Sequence, residues 1–201
     1  MSDLHFRIEL SGCVTVLRLL SSDGTNRLTR ARVRALLDEF QGRMPAPEPL
    51  ILTGSQKYFS AGADLHEIRA LTAVAGYDFS RLGQQLMDAI RCFPAPVYAA
   101  ISGYCLGGGL DLALACHRRI AAPNAVFGHR GAALGLITGW GGTQTLTRLI
   151  GKGPALAMFV SAEKVDARKA LQLGLVDEVA EDPVAEAARR LLTEAPPAAR
   201  L

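Results

Sequence analysis

The residue types best suited to chemistry stand in two glycine-marked loops. In "LILTGSQKYFSAGADLHEI" (50–68), a short apolar strand leads through a loop into Ala61-Gly62-Ala63-Asp64 and then a helix. In "AAISGYCLGGGLDLAL" (99–114), a strand leads into Leu106-Gly107-Gly108-Gly109 and then a second helix. A helix start leaves backbone N–H groups without partners and carries partial positive charge. Glycine lets a ligand approach that backbone closely. Two such junctions facing each other could aim a pair of N–H donors at one developing oxyanion. Asp111 follows Gly108 by three residues, which puts its carboxylate one helical turn along, on the same face. There it is either a general base, if a pocket raises its pKa, or an acid that stabilises the first turn through the helix dipole.

Short strands and helices alternate along the chain and are expected to position these loops. "LHFRIEL" and "CVTVLRL" read as a β-hairpin over residues 4–19, with Leu4, Phe6, Ile8 and Leu10 inward. Residues 28–40 are amphipathic and helical, 50–54 a buried strand, and "SQKYFSAGAD" a loop. Helices are expected over 65–71, 77–92 and 110–116, with a strand at 97–103 between the last two. "RRIAAPNAVFGH" (118–129) supplies two short strands. Helical segments follow at 139–151, 153–162, 166–173 and 183–195, with "GLVDEVA" a short strand. This alternation is that of an α/β fold with crossover connections. Residues 1–195 are expected to form one domain, and 196–201 a loop-like tail.

Composition bounds the function class. The chain has 201 residues, 49% of them hydrophobic and 20% charged, with a formal charge of +3. That is an ordinary soluble globular balance. Arg27, Arg30, Arg32 and Arg34 cluster, but apolar residues at helical spacing interrupt them, which describes a solvated helix face rather than a nucleic-acid stripe. The apolar region 99–116 is broken by Asp111 and glycines, so it makes a poor membrane span. Cys13, Cys92, Cys105 and Cys116 form no CxxC pair and read as buried thiols of a reducing compartment. A cytoplasmic protein without a metal site is expected.

Four stretches carry a family resemblance: "YFSAGADLHEI", "GYCLGGGLDLALAC", "FGHRGAALGLITGWGGTQTLTRLIGK" and "DARKALQLGLVDEV". Together they resemble the enoyl-CoA hydratase/isomerase (crotonase) superfamily from about residue 5 to about residue 182. The resemblance implies a spiral of ββα units, with most of the usual C-terminal helical segment lacking here. It implies homotrimers or hexamers, and acyl-CoA substrates in which coenzyme A is part of the thioester rather than a separate cofactor. Position by position, it puts two oxyanion donors on Ala63 and Gly108. Ala61, Gly62, Asp64, Leu65, His66, Gly107 and Trp140 fall where substrate or CoA would be held, His66 near the adenine and Asp64 as an organiser of its loop. Tyr104 is a further candidate for the acyl pocket.

In the hydratases of this family two glutamates handle the water. The first falls on Asp111 and the second on Gly131, which cannot transfer a proton. His129 and Arg130 are the local candidates for a replacement, His129 as an acid or base and Arg130 as a fixed charge. The reaction implied passes through a thioester enolate, by hydration, double-bond isomerisation or decarboxylation. Isomerisation needs only one base. The alternative is an acyl-CoA-binding homologue that has lost the proton chemistry.

Overall fold

The computed structural model describes residues 5–193. It opens with a hairpin of β1 (Phe6–Ser11) and β2 (Val14–Leu19), then α1 (Arg30–Gly42). Three strand–strand–helix units follow. The first is β3 (Leu50–Thr53), β4 (Tyr58–Ser60) and the helices α2 (Leu65–Arg69) and α3 (Ala73–Arg91). The second is β5 (Val97–Ile101), β6 (Tyr104–Leu106) and α4 (Gly108–Ala115). The third is β7 (Arg118–Ala121), β8 (Val126–Gly128), a 3-10 turn at Ala132–Leu134, and the helices α5 (Gly142–Ile150) and α6 (Lys152–Ser161). β9 (Val165–Asp166), α7 (Ala167–Gln172), β10 (Glu178–Val179) and α8 (Pro183–Thr193) complete the described chain.

In each unit the first strand joins one sheet and the second joins another. The larger sheet runs β1-β2-β3-β5-β7-β10, and the smaller β4-β6-β8-β9. β2, β3, β5, β7 and β10 pair in parallel, so the two central strands are near-continuous apolar runs: every residue of β3 and β5 is buried. The main core fills the space between the sheets and α1, α3 and α4, with Phe40, Phe59, Leu86 and Phe127 at its centre. A second cluster around Val16, Ile51, Tyr98 and Ile120 lies under α8. The expected α/β spiral of ββα units is the architecture observed. None of the described helices is long and apolar enough to cross a membrane.

Tertiary contacts override the local reading in several places. Residues 58–60, read as loop, form β4, because parallel pairing with β6 satisfies their backbone. The strand expected over 97–103 ends at Ile101, and 104–106 turns into the other sheet as β6. α3 starts at Ala73, four residues earlier than expected, because the Thr72 side chain accepts from the Ala75 N–H and caps it. In the hairpin Ile8 and Leu10 are exposed, since β1 is an edge strand that the core reaches only at Phe6. Cys13 and Cys92 are exposed as well, one in the hairpin turn and one capping α3, while Cys105 and Cys116 are buried. Arg32 does not lie on a solvated face. It is buried, and its guanidinium donates to the carbonyls of His5, Arg27 and Leu20. Leu4, the end of the last expected helix beyond Thr193 and the tail lie outside the described residues.

Candidate active site

The two glycine loops meet because β4 and β6 are neighbours in the smaller sheet. The segment 25–28 pins the first loop. The Ala61 N–H donates to the Thr25 carbonyl and the Leu28 N–H to the Gly62 carbonyl, while the Ser60 hydroxyl donates to the Asn26 carbonyl and accepts from the Gly62 N–H. In the second loop Gly107 has φ +52 and ψ −123, a conformation open in practice only to glycine, and it starts α4. Gly109 then lets α4 close on β4, since a Cβ there would stand 2.7 Å from the Ser60 Cβ.

These contacts bring the backbone nitrogens of Ala63 and Gly108 into one small gap. A Cβ added at Gly108 would stand 3.4 Å from the Ala63 nitrogen, and one added at Gly62 would stand 3.1 Å from the Gly108 nitrogen. The hydrogen bonds of both loops run through neighbouring residues, and neither the Ala63 nor the Gly108 N–H has an acceptor among the described residues. Both residues border a cavity of about 1240 Å³. Its walls are largely apolar, with Ile68, Leu71, Phe79, Leu136 and Phe159 among them.

Asp111 and His129 border the same cavity. Asp111 projects from the first turn of α4, and His129 stands just past the end of β8. His129 Nε2 lies 3.6 Å from Asp111 Oδ1, and the two side chains are 3% and 1% exposed. Asp111 Oδ1 and both ring nitrogens of His129 are buried without a hydrogen-bond partner. The other carboxylate oxygen, Oδ2, accepts from the Thr138 hydroxyl. Burial pushes the Asp111 carboxyl up to about 7, against a smaller lowering by Thr138. Burial pushes His129 down to about 4, so near neutrality its imidazole is uncharged. A carboxyl that titrates near neutral pH inside a cavity is suited to accept and return a proton.

Of the other residues singled out from sequence, Ala61, Gly62, Leu65 and Gly107 border the cavity, as does Trp140. The Trp140 ring packs edge-on against Phe79, at 5.3 Å between centroids, and fills the space over Gly83 and Gly108. Asp64 caps α2, accepting from the N–H groups of His66 and Glu67, and His66 is exposed on α2; both are set outside the cavity wall. Tyr104 stacks on Tyr58 in the smaller sheet and does not border the cavity. Arg130 is exposed at its rim. Gly131 has no room for a side chain, because a Cβ there would stand 2.5 Å from the Leu136 carbonyl oxygen.

Sequence reasoning missed Thr138 and Phe159, whose ring lies 4.8 Å from that of His129. Thr138 sits 27 residues from Asp111 in a glycine-rich stretch, and no spacing rule links the two. Phe159 reads as one apolar residue among many in α6.

A family model described as Enoyl-CoA hydratase/isomerase matches residues 13–200. The chain is 42% identical over 163 residues to a crotonyl-CoA hydratase of Syntrophomonas wolfei, covering 78% of this chain and 63% of that protein. It is 39% identical over 158 residues to a short-chain-enoyl-CoA hydratase of Clostridium acetobutylicum, covering 76% and 60%. The chain thus spans about three-fifths of the length of these curated relatives. Among solved structures, an enoyl-CoA hydratase from Bacillus anthracis superposes with a TM-score of 0.87 at 31% identity, covering 95% of this chain and 78% of that one. The glycine loops, the two interleaved sheets and the match along nearly the whole chain lead to one assignment: this chain belongs to the enoyl-CoA hydratase/isomerase family.

Proposed function

We propose that the protein is an acyl-CoA enzyme of the hydratase/isomerase type, acting on enoyl-CoA thioesters through an enolate. The carrying observation is the pair of unpartnered N–H groups, Ala63 and Gly108, beside the only acid that borders the same cavity among the described residues, Asp111. The thioester carbonyl oxygen accepts from both N–H groups. As a proton leaves the carbon next to the carbonyl, negative charge moves onto that oxygen, where donors already in place stabilise it. The Asp111 carboxylate takes the proton. Returning it to the same carbon gives exchange, and returning it two carbons further along gives double-bond isomerisation. Hydration also needs a group to handle water, and His129, 3.6 Å from Asp111, is the nearest candidate. The names of the two curated relatives direct the first assays to short-chain enoyl-CoA.

A second reading, binding of acyl-CoA without turnover, is favoured by one feature. The backbone of Leu136 occupies the space a second acid would need at Gly131. Both readings are tested by incubating the protein with crotonyl-CoA and with butyryl-CoA in heavy water and following hydration, isomerisation and deuterium uptake by mass spectrometry, with binding measured alongside. The enzyme reading expects uptake that disappears in Asp111→Asn. Binding of both thioesters with no uptake and no product would overturn it in favour of the second. The oxyanion donors are tested by Gly108→Pro, which deletes one N–H and is expected to raise the barrier by about 3–4 kcal/mol. Circular dichroism and acyl-CoA binding must accompany it, since the proline also constrains Gly107 and its ring meets Trp140, which stands 2.4 Å from a Cβ at Gly108.

A further inference from the structure

The stretch 131–139 leaves no space for a second acid, yet it delivers one polar side chain to the first. The Leu136 carbonyl oxygen fills the position a Gly131 side chain would take, and two residues later the Thr138 hydroxyl donates to Asp111 Oδ2. We propose that Thr138 is a positioning residue for Asp111: it holds Oδ2 and leaves Oδ1, beside His129 Nε2, as the oxygen that exchanges protons. This rests on the assignment of Asp111 as the base.

The geometry around Asp111 makes the two oxygens unequal. Oδ2 has a donor, whereas Oδ1 is buried with none. Oδ1 also lies against Gly142, where a Cβ would stand 2.0 Å from it, so this glycine gives the carboxylate the room to hold its orientation. A hydrogen bond to one oxygen favours the ionised carboxylate, and it stops the group from rotating to present either oxygen. Every other neighbour leaves that role open. His129 faces the carboxylate from the end of β8 and is uncharged near neutrality. Cys105 faces it from β6 as a thiol that burial holds well above its usual range, and its sulfur donates to the Gly109 carbonyl. The buried face of α3 is apolar apart from Gly83, β4 presents Ser60 against Gly109, and α5 presents Gly142. Among the described residues, the Thr138 hydroxyl is therefore the donor whose hydrogen bond favours the ionised form of Asp111.

The test reads Asp111 directly and does not need an assigned reaction. Protein with carbon-13 in its aspartate carboxyls is titrated by NMR, and Asp111→Asn identifies the resonance. Thr138→Val keeps the shape and deletes the donor; Thr138→Ala is a second deletion in case valine disturbs packing, and Thr138→Ser restores the hydroxyl. Both deletions are expected to raise the titration midpoint of Asp111 by about one pH unit, tenfold in proton affinity, and serine to return it. Deuterium uptake into butyryl-CoA should show the same order, with its acidic limb moved to higher pH in the deletions. A midpoint that is the same in all four proteins overturns the proposal. If the native protein shows no uptake while the midpoints move as expected, Thr138 holds the carboxylate and the failure belongs to the enzyme reading alone.

Discussion

Two carboxylates, the buried Asp111 and the largely covered Asp177, lie in surroundings of opposite character. Asp177, just before β10, is surrounded by cationic and backbone donors. Arg118 Nη1 donates to Oδ1 at 2.8 Å, while the Arg119 N–H and Arg119 Nη2 donate to Oδ2 at 2.9 and 3.2 Å. Arg119 also donates to the carbonyls of Leu175 and Cys116, so one guanidinium ties the 175–177 segment to the end of α4. Burial pushes the Asp177 carboxyl up, but the Arg119 charge and these hydrogen bonds outweigh it, and the net displacement is downward. Among the described residues Asp111 has one neutral donor, an uncharged imidazole and no cation paired with it, and burial carries it up to about 7. A fully paired carboxylate is a structural tie. A buried carboxylate left under-partnered beside a cavity costs stability, and its proton affinity falls in the range catalysis uses.

The difference makes predictions of opposite sign. Asp177→Ala should have the largest effect on stability, a loss of about 3–5 kcal/mol in urea unfolding, because it leaves a buried guanidinium without its counter-charge. Deuterium uptake per folded molecule should be unchanged, and a loss under about 1 kcal/mol would erase the contrast. Asp111→Asn should do the reverse. Uptake into butyryl-CoA falls about 100-fold or more, while unfolding at pH 8 becomes harder by up to about 4 kcal/mol.

The pH dependence follows from the same displacements. Asp177 holds its proton less tightly folded than unfolded, so its contribution is present above the ordinary carboxylate range and is lost as pH falls through its lowered folded value. Asp111 holds its proton more tightly when folded, so its contribution falls as pH rises from about 4 to about 7 and levels above that. His129, which burial keeps neutral, contributes in the opposite direction as pH rises from about 4 to about 6.5. Asp111→Asn should remove the fall, so that the variant's stability rises with pH through the His129 window while the acid limb from Asp177 stays in place. Urea unfolding between pH 3 and pH 8 reads both.

The two carboxylates also differ in how legible they were. Asp111 stood out because Gly107-Gly108-Gly109 marks a strand-to-helix junction and the helical repeat places residue 111 over it. Those are local facts, and the α/β class and both glycine loops were read from such facts, whereas the spiral of ββα units and the donor positions came from the family resemblance. Asp177 passed as one letter in an apolar strand, because its partners are 58 and 59 residues away. The closeness of His129 is likewise a product of pairing between β6 and β8, and the bond from Thr138 comes from a loop 27 residues further along. Burial of Arg32 was hidden for the same reason, since its acceptors are carbonyls of the hairpin and the following loop. Spacing within one element can be read; which element comes to face it depends on the assembled sheets.

The smallest effect is expected at Gly131, and it asks whether the surroundings of Asp111 could be turned into a two-acid site. Gly131→Glu supplies the missing carboxylate in composition. Its Cβ, however, would stand 2.5 Å from the Leu136 carbonyl oxygen and 3.6 Å from the Ile137 Cα, so the backbone of 136–137 must move before the side chain can enter. That stretch is exposed, which limits the cost to about 1–2 kcal/mol. The movement also draws on the segment that carries Thr138, so gaining the second acid loosens the first. Hydration of crotonyl-CoA should therefore not rise above the native level, and the midpoint of Asp111 should move upward, as in Thr138→Val. A Gly131→Glu protein that hydrates faster than the native one, with Asp111 unmoved, would show that 131–137 and Thr138 act independently. It would also show that the under-partnering of Asp111 is not tied to the loss of the second acid.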